Sequence, residues 1–209
     1  MVETIRFTRG NLPHWMVADR PYFVTLRLAG TLPREVVNEL RLERESLLAN
    51  PDADEDKWAE MKRRHFVRVD AILDAVVPDR NWLIRAEIAD LVFQNLAWME
   101  QRGWRTYAAV VMSNHLHAVM RNTDGRNGEL IGDLGYYKSY TGDRANRLLG
   151  RKGAFWAGED FDHWCRDESK VIGACHYTCL NPVKAGLAKT WREWPWVRCE
   201  EQYRPTETQ

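Results

Sequence analysis

Val110-Val111-Met112-Ser113-Asn114-His115-Leu116-His117-Ala118-Val119-Met120 is an apolar run broken by Ser-Asn and followed by two histidines that flank a leucine. Two strand-forming arms around a two-residue break read as a β-hairpin, with the histidines at the start of its second arm. Side chains alternate across a strand, so His115 and His117 share one face while Leu116 and Ala118 take the other. Two imidazoles one strand repeat apart can hold a single metal ion. They can equally be core histidines satisfied by hydrogen bonds, and His-x-His alone does not choose between these roles.

Outward from this hairpin the chain alternates strands and helices. Residues 1–20, with Arg6, Arg9, His14 and Trp15, have no clear period and read as an irregular basic and aromatic arm. Tyr22 to Leu28 is β-branched and aromatic and ends before Gly30, which marks a strand. Apolar residues at helical spacing predict helices over 34–48, 57–77 and 86–101. Trp104 to Met112 and His115 to Arg121 are the two arms of the hairpin. Glu129 to Leu149 reads as a helix weakened by Gly132, Gly135 and Gly142. A short strand is expected at 161–165, and Asp167 can cap a last helix from Glu168 to Leu180. Asn181-Pro182 should stop it, because the residue before proline is pushed out of helical space. Residues 191–209 form a tail with Trp191, Trp194 and Trp196 packed on the core and a polar, disordered end. The layout is α+β. It fits a ferredoxin-like (split βαβ) antiparallel sheet with helices inserted after the first strand, in one domain over 21–190.

Composition narrows the function classes. The 209 residues include ten Trp and are 44% hydrophobic, ample for a core of their own. Thirty Lys+Arg balance thirty Asp+Glu, which argues against a strong non-specific grip on nucleic acid and leaves room only for a local basic face. No apolar run approaches the ~20 residues that span a bilayer, and no secretory h-region is visible, so a cytoplasmic protein without membrane contact is expected. Cys165, Cys175, Cys179 and Cys199 then read as reduced thiols.

In Cys175-His176-Tyr177-Thr178-Cys179-Leu180-Asn181, Tyr177 and Asn181 stand four apart and share a helical face. If that face lies over the histidine strand, Asn181 adds an oxygen ligand beside two imidazoles, and Tyr177 points at whatever the ion holds. A phenol near pKa 10 is a weak nucleophile at neutral pH. A metal that polarises a phosphoryl oxygen and aligns it for in-line attack would assist such a group, giving a phosphotyrosine link. Spacing does not select Tyr177 over Tyr136, Tyr137 or Tyr140, and a helix tyrosine is commonly a packing residue.

Met-Ser-Asn-His-Leu-His (112–117) followed by Asn-Pro-Val-Lys-Ala-Gly (181–186) resembles the REP-associated tyrosine transposases, single-tyrosine enzymes of the His-hydrophobic-His superfamily. The segments 12–15, 22–25, 29–33, Asp70-Ala71-Ile72-Leu73-Asp74, Phe161-Asp162-His163 and 191–196 are similar to that family in the same order, over nearly the whole chain. The resemblance implies a ferredoxin-like core with a C-terminal catalytic helix. It implies His115, His117 and Asn181 as ligands of a divalent ion, Mg²⁺ or Mn²⁺, and Tyr177 as the nucleophile. The implied partner is single-stranded hairpin DNA of the repetitive extragenic palindrome type. The implied activity is cleavage and joining of one strand through a 5′-phosphotyrosine.

DNA contacts are expected first from Arg6, Arg9, His14 and Trp15. The helix bearing Lys138, Arg144 and Arg147 and the Arg151-Lys152 turn come next, through phosphate pairing and base stacking. A hairpin-binding regulator with weak or no cleavage is the alternative, and a metal phosphodiesterase using water a third; only the leading one needs Tyr177. Monomer and dimer stay open.

Overall fold

The computed structural model describes residues 4–9, 13–17, 19–75, 78–125, 129–158 and 160–206, with the backbone alone described at 4–9, 13–17, 55, 78 and 162. Its strands are β1 (Thr4–Arg9), β2 (Pro13–Val17), β3 (Tyr22–Arg27), β4 (Trp104–Val111), β5 (His115–Asn122), β6 (Phe161–Trp164) and β7 (Val197–Cys199). Its helices are α1 (Arg34–Ala49), α2 (Glu55–Asp74), α3 (Ala86–Gln94), α4 (Leu96–Gln101), α5 (Leu130–Leu148) and α6 (Glu168–Lys184).

Strands β6, β3, β5, β4 and β7 form one sheet in that order, antiparallel at every junction. The connection β3–helices–β4 leaves β5 between its two strands, and β5–α5–β6 leaves β3 between its own. Those two interleaved split βαβ units are the ferredoxin-like arrangement, with α1 to α4 inserted after its first strand. The central hairpin closes through Ser113-Asn114, where the Met112 amide donates to the His115 carbonyl at 2.8 Å.

Alternation along the strands sorts the core into two layers. Tyr22, Val24, Leu26, Leu116, Ala118 and Met120 face one way and pack with Ile88, Val92 and Met99 of α3 and α4 and with Leu134 and Tyr137 of α5. Phe23, Ala108 and Val119 face the other way and pack with Val171, Cys175 and Cys179 of α6 and with Phe66 of α2. The histidines of β5 belong by parity to this second layer, under α6 and α2. Gly142 has a packing reason in α5: a Cβ there would meet Phe155 at 3.2 Å.

Four sequence expectations need correction. Thr4–Arg9 and Pro13–Val17 pair as two antiparallel strands rather than an irregular arm, with a register shift between Thr4 and Arg6; Thr4-Ile5-Arg6-Phe7-Thr8 does alternate polar and apolar, but over too short a run to mark a strand beside Pro13. The helix expected over 86–101 divides at Asn95, whose side-chain amide donates to the Leu91 carbonyl at 2.7 Å and competes with the helical ladder. Helix α6 runs through Asn181 and Pro182 to Lys184. Proline in its last turn costs the ladder only the bond to Thr178, and the chain is redirected at Gly186, in left-handed space at φ 69°. The tail does pack through its tryptophans, Trp194 donating to the Val111 carbonyl at 2.9 Å, but it also supplies β7 as an edge strand beside β4. Among the described residues no helix is long and apolar enough to cross a membrane.

Candidate active site

Each site side chain is aimed by its element. On β5 the two-residue period puts His115 and His117 side by side on the α6 face, their rings 4.5 Å apart between centroids. Across the sheet His117 pairs in register with Thr25 of β3. Helix α6 starts at Asp167, whose carboxylate accepts from the Lys170 amide at 2.9 Å, and its apolar face lies on β4 and β5. That docking turns Tyr177 toward the histidines, with ring centroids of His117 and Tyr177 5.5 Å apart. The next turn places the Asn181 carboxamide beside His115.

Both imidazoles are gripped from behind. His115 Nδ1 hydrogen-bonds Asn114 Oδ1 at 2.6 Å, and His117 Nδ1 hydrogen-bonds Thr25 Oγ1 at 2.8 Å. Asn114 is itself fixed, its Nδ2 donating to the Leu73 carbonyl at the end of α2 at 2.8 Å. In His115 the Nδ1 must therefore carry the proton, which leaves a lone pair on Nε2. The Nε2 atoms of both rings and both polar atoms of the Asn181 carboxamide are buried without a hydrogen-bond partner. Buried polar atoms are seldom left unpaired: His115 Nε2 and the Asn181 carboxamide oxygen have lone pairs to give to an electron-pair acceptor, while Asn181 Nδ2 is a donor that needs a lone pair. Burial holds both histidines below their ordinary pKa, His115 further than His117 because Asp70 partly offsets the effect at His117. Both rings are therefore neutral and able to bind a cation at neutral pH.

Two imidazole nitrogens and an amide oxygen are the donors that could hold an ion here. No group of three or more His, Cys, Asp or Glu side chains among the described residues is arranged to do so. Any remaining coordination would fall to substrate or water.

Sequence reasoning missed the carboxylate at the centre. Asp70 of α2 accepts a short hydrogen bond from the Tyr177 hydroxyl on Oδ1 and one from Lys184 Nζ on Oδ2 at 2.8 Å; its Oδ1 lies 3.6 Å from His117 Nε2. Lys184 also pairs with Asp74 at 2.8 Å and lies over the Tyr177 ring, 5.4 Å from its centroid. Burial alone would raise the Asp70 carboxyl, but His117, Lys184 and Tyr177 outweigh it and hold the group well below the carboxylate range. Burial, and then the Asp70 charge, push the Tyr177 phenol far above its ordinary value. The hydroxyl is thus a neutral donor with a fixed direction. Asp70 and Asp74 stand one helical turn apart in α2, and Lys184 closes Asn-Pro-Val-Lys. Those spacings were the available signal, but nothing in the sequence tied α2 to the histidines.

The other tyrosines are elsewhere. Tyr137 is buried on the opposite face of the sheet and donates to the Val92 carbonyl at 2.6 Å, and Tyr136 and Tyr140 are exposed on the same helix. Of the four candidates only Tyr177 adjoins the histidines.

The expected DNA-contacting residues of α5 and the turn after it are not brought to this site, since α5 covers the other face of the sheet. Lys138 is held by Asp160 at 2.6 Å and Arg147 by Asp143 at 2.7 Å. Arg144 lies over the Tyr140 ring, Arg151 packs on the Trp82 ring 3.8 Å from its centroid, and Lys152 is exposed. The side chains of Arg6, Arg9, His14 and Trp15 lie outside what is described; their backbones form the β1–β2 hairpin.

No family model and no curated relative matches the chain. Among solved structures, a REP-associated tyrosine transposase bound to a REP hairpin is similar over 90% of this chain and 82% of its own, at 14% identity and a TM-score of 0.48. A likeness at that level transfers no residue role.

Proposed function

We propose that this chain is a metal-dependent transesterase of the tyrosine-transposase type, which binds single-stranded hairpin DNA and cuts and rejoins one strand through Tyr177. The observation that carries this reading is the convergence of the unpartnered His115, His117 and Asn181 atoms on one side of a tyrosine whose hydroxyl is already aimed by Asp70. The motif resemblance over 112–117 and 181–186 points the same way.

His115 Nε2, His117 Nε2 and the Asn181 amide oxygen would hold Mg²⁺ or Mn²⁺; the mixed nitrogen and oxygen donors favour Mn²⁺. The ion's chemistry would be to polarise a non-bridging phosphate oxygen and align the phosphorus. The Tyr177 Oη then attacks that phosphorus in line. A bond forms between Oη and phosphorus, the bond from phosphorus to the 3′-oxygen breaks, and the 5′ side of the break becomes a phosphotyrosine. The phenolic proton is balanced by the one taken up at the released 3′-hydroxyl. Asp70 is too weak a base to store that proton, given its depressed pKa. Its role is to fix the hydroxyl's direction and to accept its hydrogen bond until attack. Rejoining is the same path in reverse.

The test is a pool of labelled single-stranded hairpin oligonucleotides incubated with the protein and Mn²⁺ or Mg²⁺, then resolved on denaturing gels. A covalent adduct that vanishes in Tyr177→Phe supports the proposal. Cleavage that survives in Tyr177→Phe without an adduct assigns water as the nucleophile, and binding without cleavage assigns a regulator; either result refutes it.

A further inference from the structure

A cavity of about 260 Å³ opens beside Tyr177, between α2, β6 and the first turns of α6. Its walls include the Phe66, Phe161 and Tyr177 rings, with Phe66 and Phe161 5.2 Å apart and Phe66 and Tyr177 5.5 Å apart between centroids. Lys62, Arg63 and Lys170 also line it, and among the described residues no Asp or Glu does. Arg63 is held at its edge by Glu60 at 2.8 Å. An aromatic floor under a cationic margin suits a planar ring that carries a phosphate on either side. The volume falls just short of the roughly 300–1,000 Å³ of small-molecule sites, which limits the occupant to a single ring system.

The cavity adjoins the reaction site across Tyr177 and Phe23. One tyrosine serves both: its ring forms part of the wall while its hydroxyl turns to Asp70 and His117. Phe23 links them from below, lining the cavity and stacking on the His117 ring with centroids 5.1 Å apart. A strand whose phosphate sits against Tyr177 Oη must lead its neighbouring nucleotide past this opening.

We propose that the cavity receives one unpaired nucleobase, that of a nucleotide flanking the phosphate under attack. The base stacks on the Phe66 and Phe161 side of the pocket, and the exposed Lys170 at its margin holds an adjoining phosphate. Stacking of this kind tolerates any base, because every base has a π-face. The pocket therefore splays the strand at the scissile position and so selects single-stranded over paired DNA. This inference rests on the transesterase reading.

To test it, a hairpin that forms the Tyr177 adduct is taken from the labelled pool, and each unpaired nucleotide in turn is made abasic. One position beside the cleaved bond should lose about five- to a hundredfold in affinity, the range of one base–aromatic stack. That penalty should shrink to near onefold in Phe161→Leu, while penalties at other positions persist. Lys170→Ala, an exposed change that leaves the helix cap intact, should weaken binding of every oligonucleotide and lower its salt dependence. If the adduct forms but abasic penalties are uniform, or are unchanged in Phe161→Leu, the pocket assignment is wrong and the transesterase reading stands. If no hairpin is bound or cut, both fall.

Discussion

The Tyr177 hydroxyl donates to Asp70 across 107 residues of chain, joining the helix inserted after β3 to the last helix of the fold. Lys184 occupies the other oxygen of the same carboxylate, and His117 faces it at 3.6 Å. Thr25 Oγ1 can donate to or accept from His117 Nδ1, so a proton on His117 Nε2 can face the carboxylate.

Asp70→Asn separates the carboxylate's charge from its shape. The amide oxygen can still accept from Tyr177, so the fold should hold, with Lys184 retaining Asp74. Adduct formation should fall about ten- to a hundredfold, the usual loss when a partner behind a reacting or ligating group is removed. Single-turnover rates on a labelled hairpin measure this, and a rate within twofold of the parent would show that Asp70 is only a packing residue.

Ion binding should be visible without any DNA. A ligand at a hundred times its Kd stabilises the native state by about 2.7 kcal/mol. For a chain of this size that raises Tm by roughly 5–10 °C. Thermal unfolding with Mn²⁺ and with excess chelator reads the shift, and His115→Ala together with Asn181→Ala should abolish it. An equal rise in that double variant would place the ion elsewhere.

The hairpin and its two histidines were legible because they depend on a strand period of two, a purely local property. The partnership of Tyr177 with Asn181 was legible for the same reason on the helical period. What could not be read is how far apart in sequence the meeting groups lie. Asp70 reaches the site only because α1 and α2 fold back as a unit and the Leu73 carbonyl is caught by Asn114. No periodicity encodes that contact. Lys138 pairs with Asp160 and Arg147 with Asp143, contacts that residue type alone does not announce. Pro182 misled because its penalty depends on position, and in a last turn it is small.

Asn114 should behave as a structural clamp on the site. Its carboxamide satisfies the His115 ring and the Leu73 carbonyl at once, and it is fully buried. Asn114→Ala orphans both partners, each costing about 1–3 kcal/mol. The variant should also lose Mn²⁺ affinity, because the freed His115 ring can turn its lone pair away. Chemical denaturation and Mn²⁺ titration measure the two effects. Loss of stability with unchanged Mn²⁺ affinity would show that His115 is oriented by packing alone.

The buried histidines also set how the metal-free fold responds to acid. His115 and His117 have folded-state pKa values below the unfolded value of about 6.5. Below that pH the unfolded chain takes up protons that the native state refuses, so stability is fully present above about 6.5 and falls as the pH drops. The slope is at most about 1.4 kcal/mol per pH unit for each histidine. Asp70 acts in a separate window: its depressed carboxyl contributes stability that is retained above about pH 4 and lost below it. Denaturation midpoints in chelator between pH 5 and 8 should therefore decline on the acid side of 6.5, and His115→Gln should flatten the decline. Mn²⁺ should lose its stabilising effect across the same interval, since protons and the ion compete for the same Nε2 lone pairs. A profile that stays level from pH 7 to 5 in the parent protein would mean that the native rings take up protons as readily as the unfolded ones, and that neutral imidazoles with unshared lone pairs are not what holds the site ready for a cation.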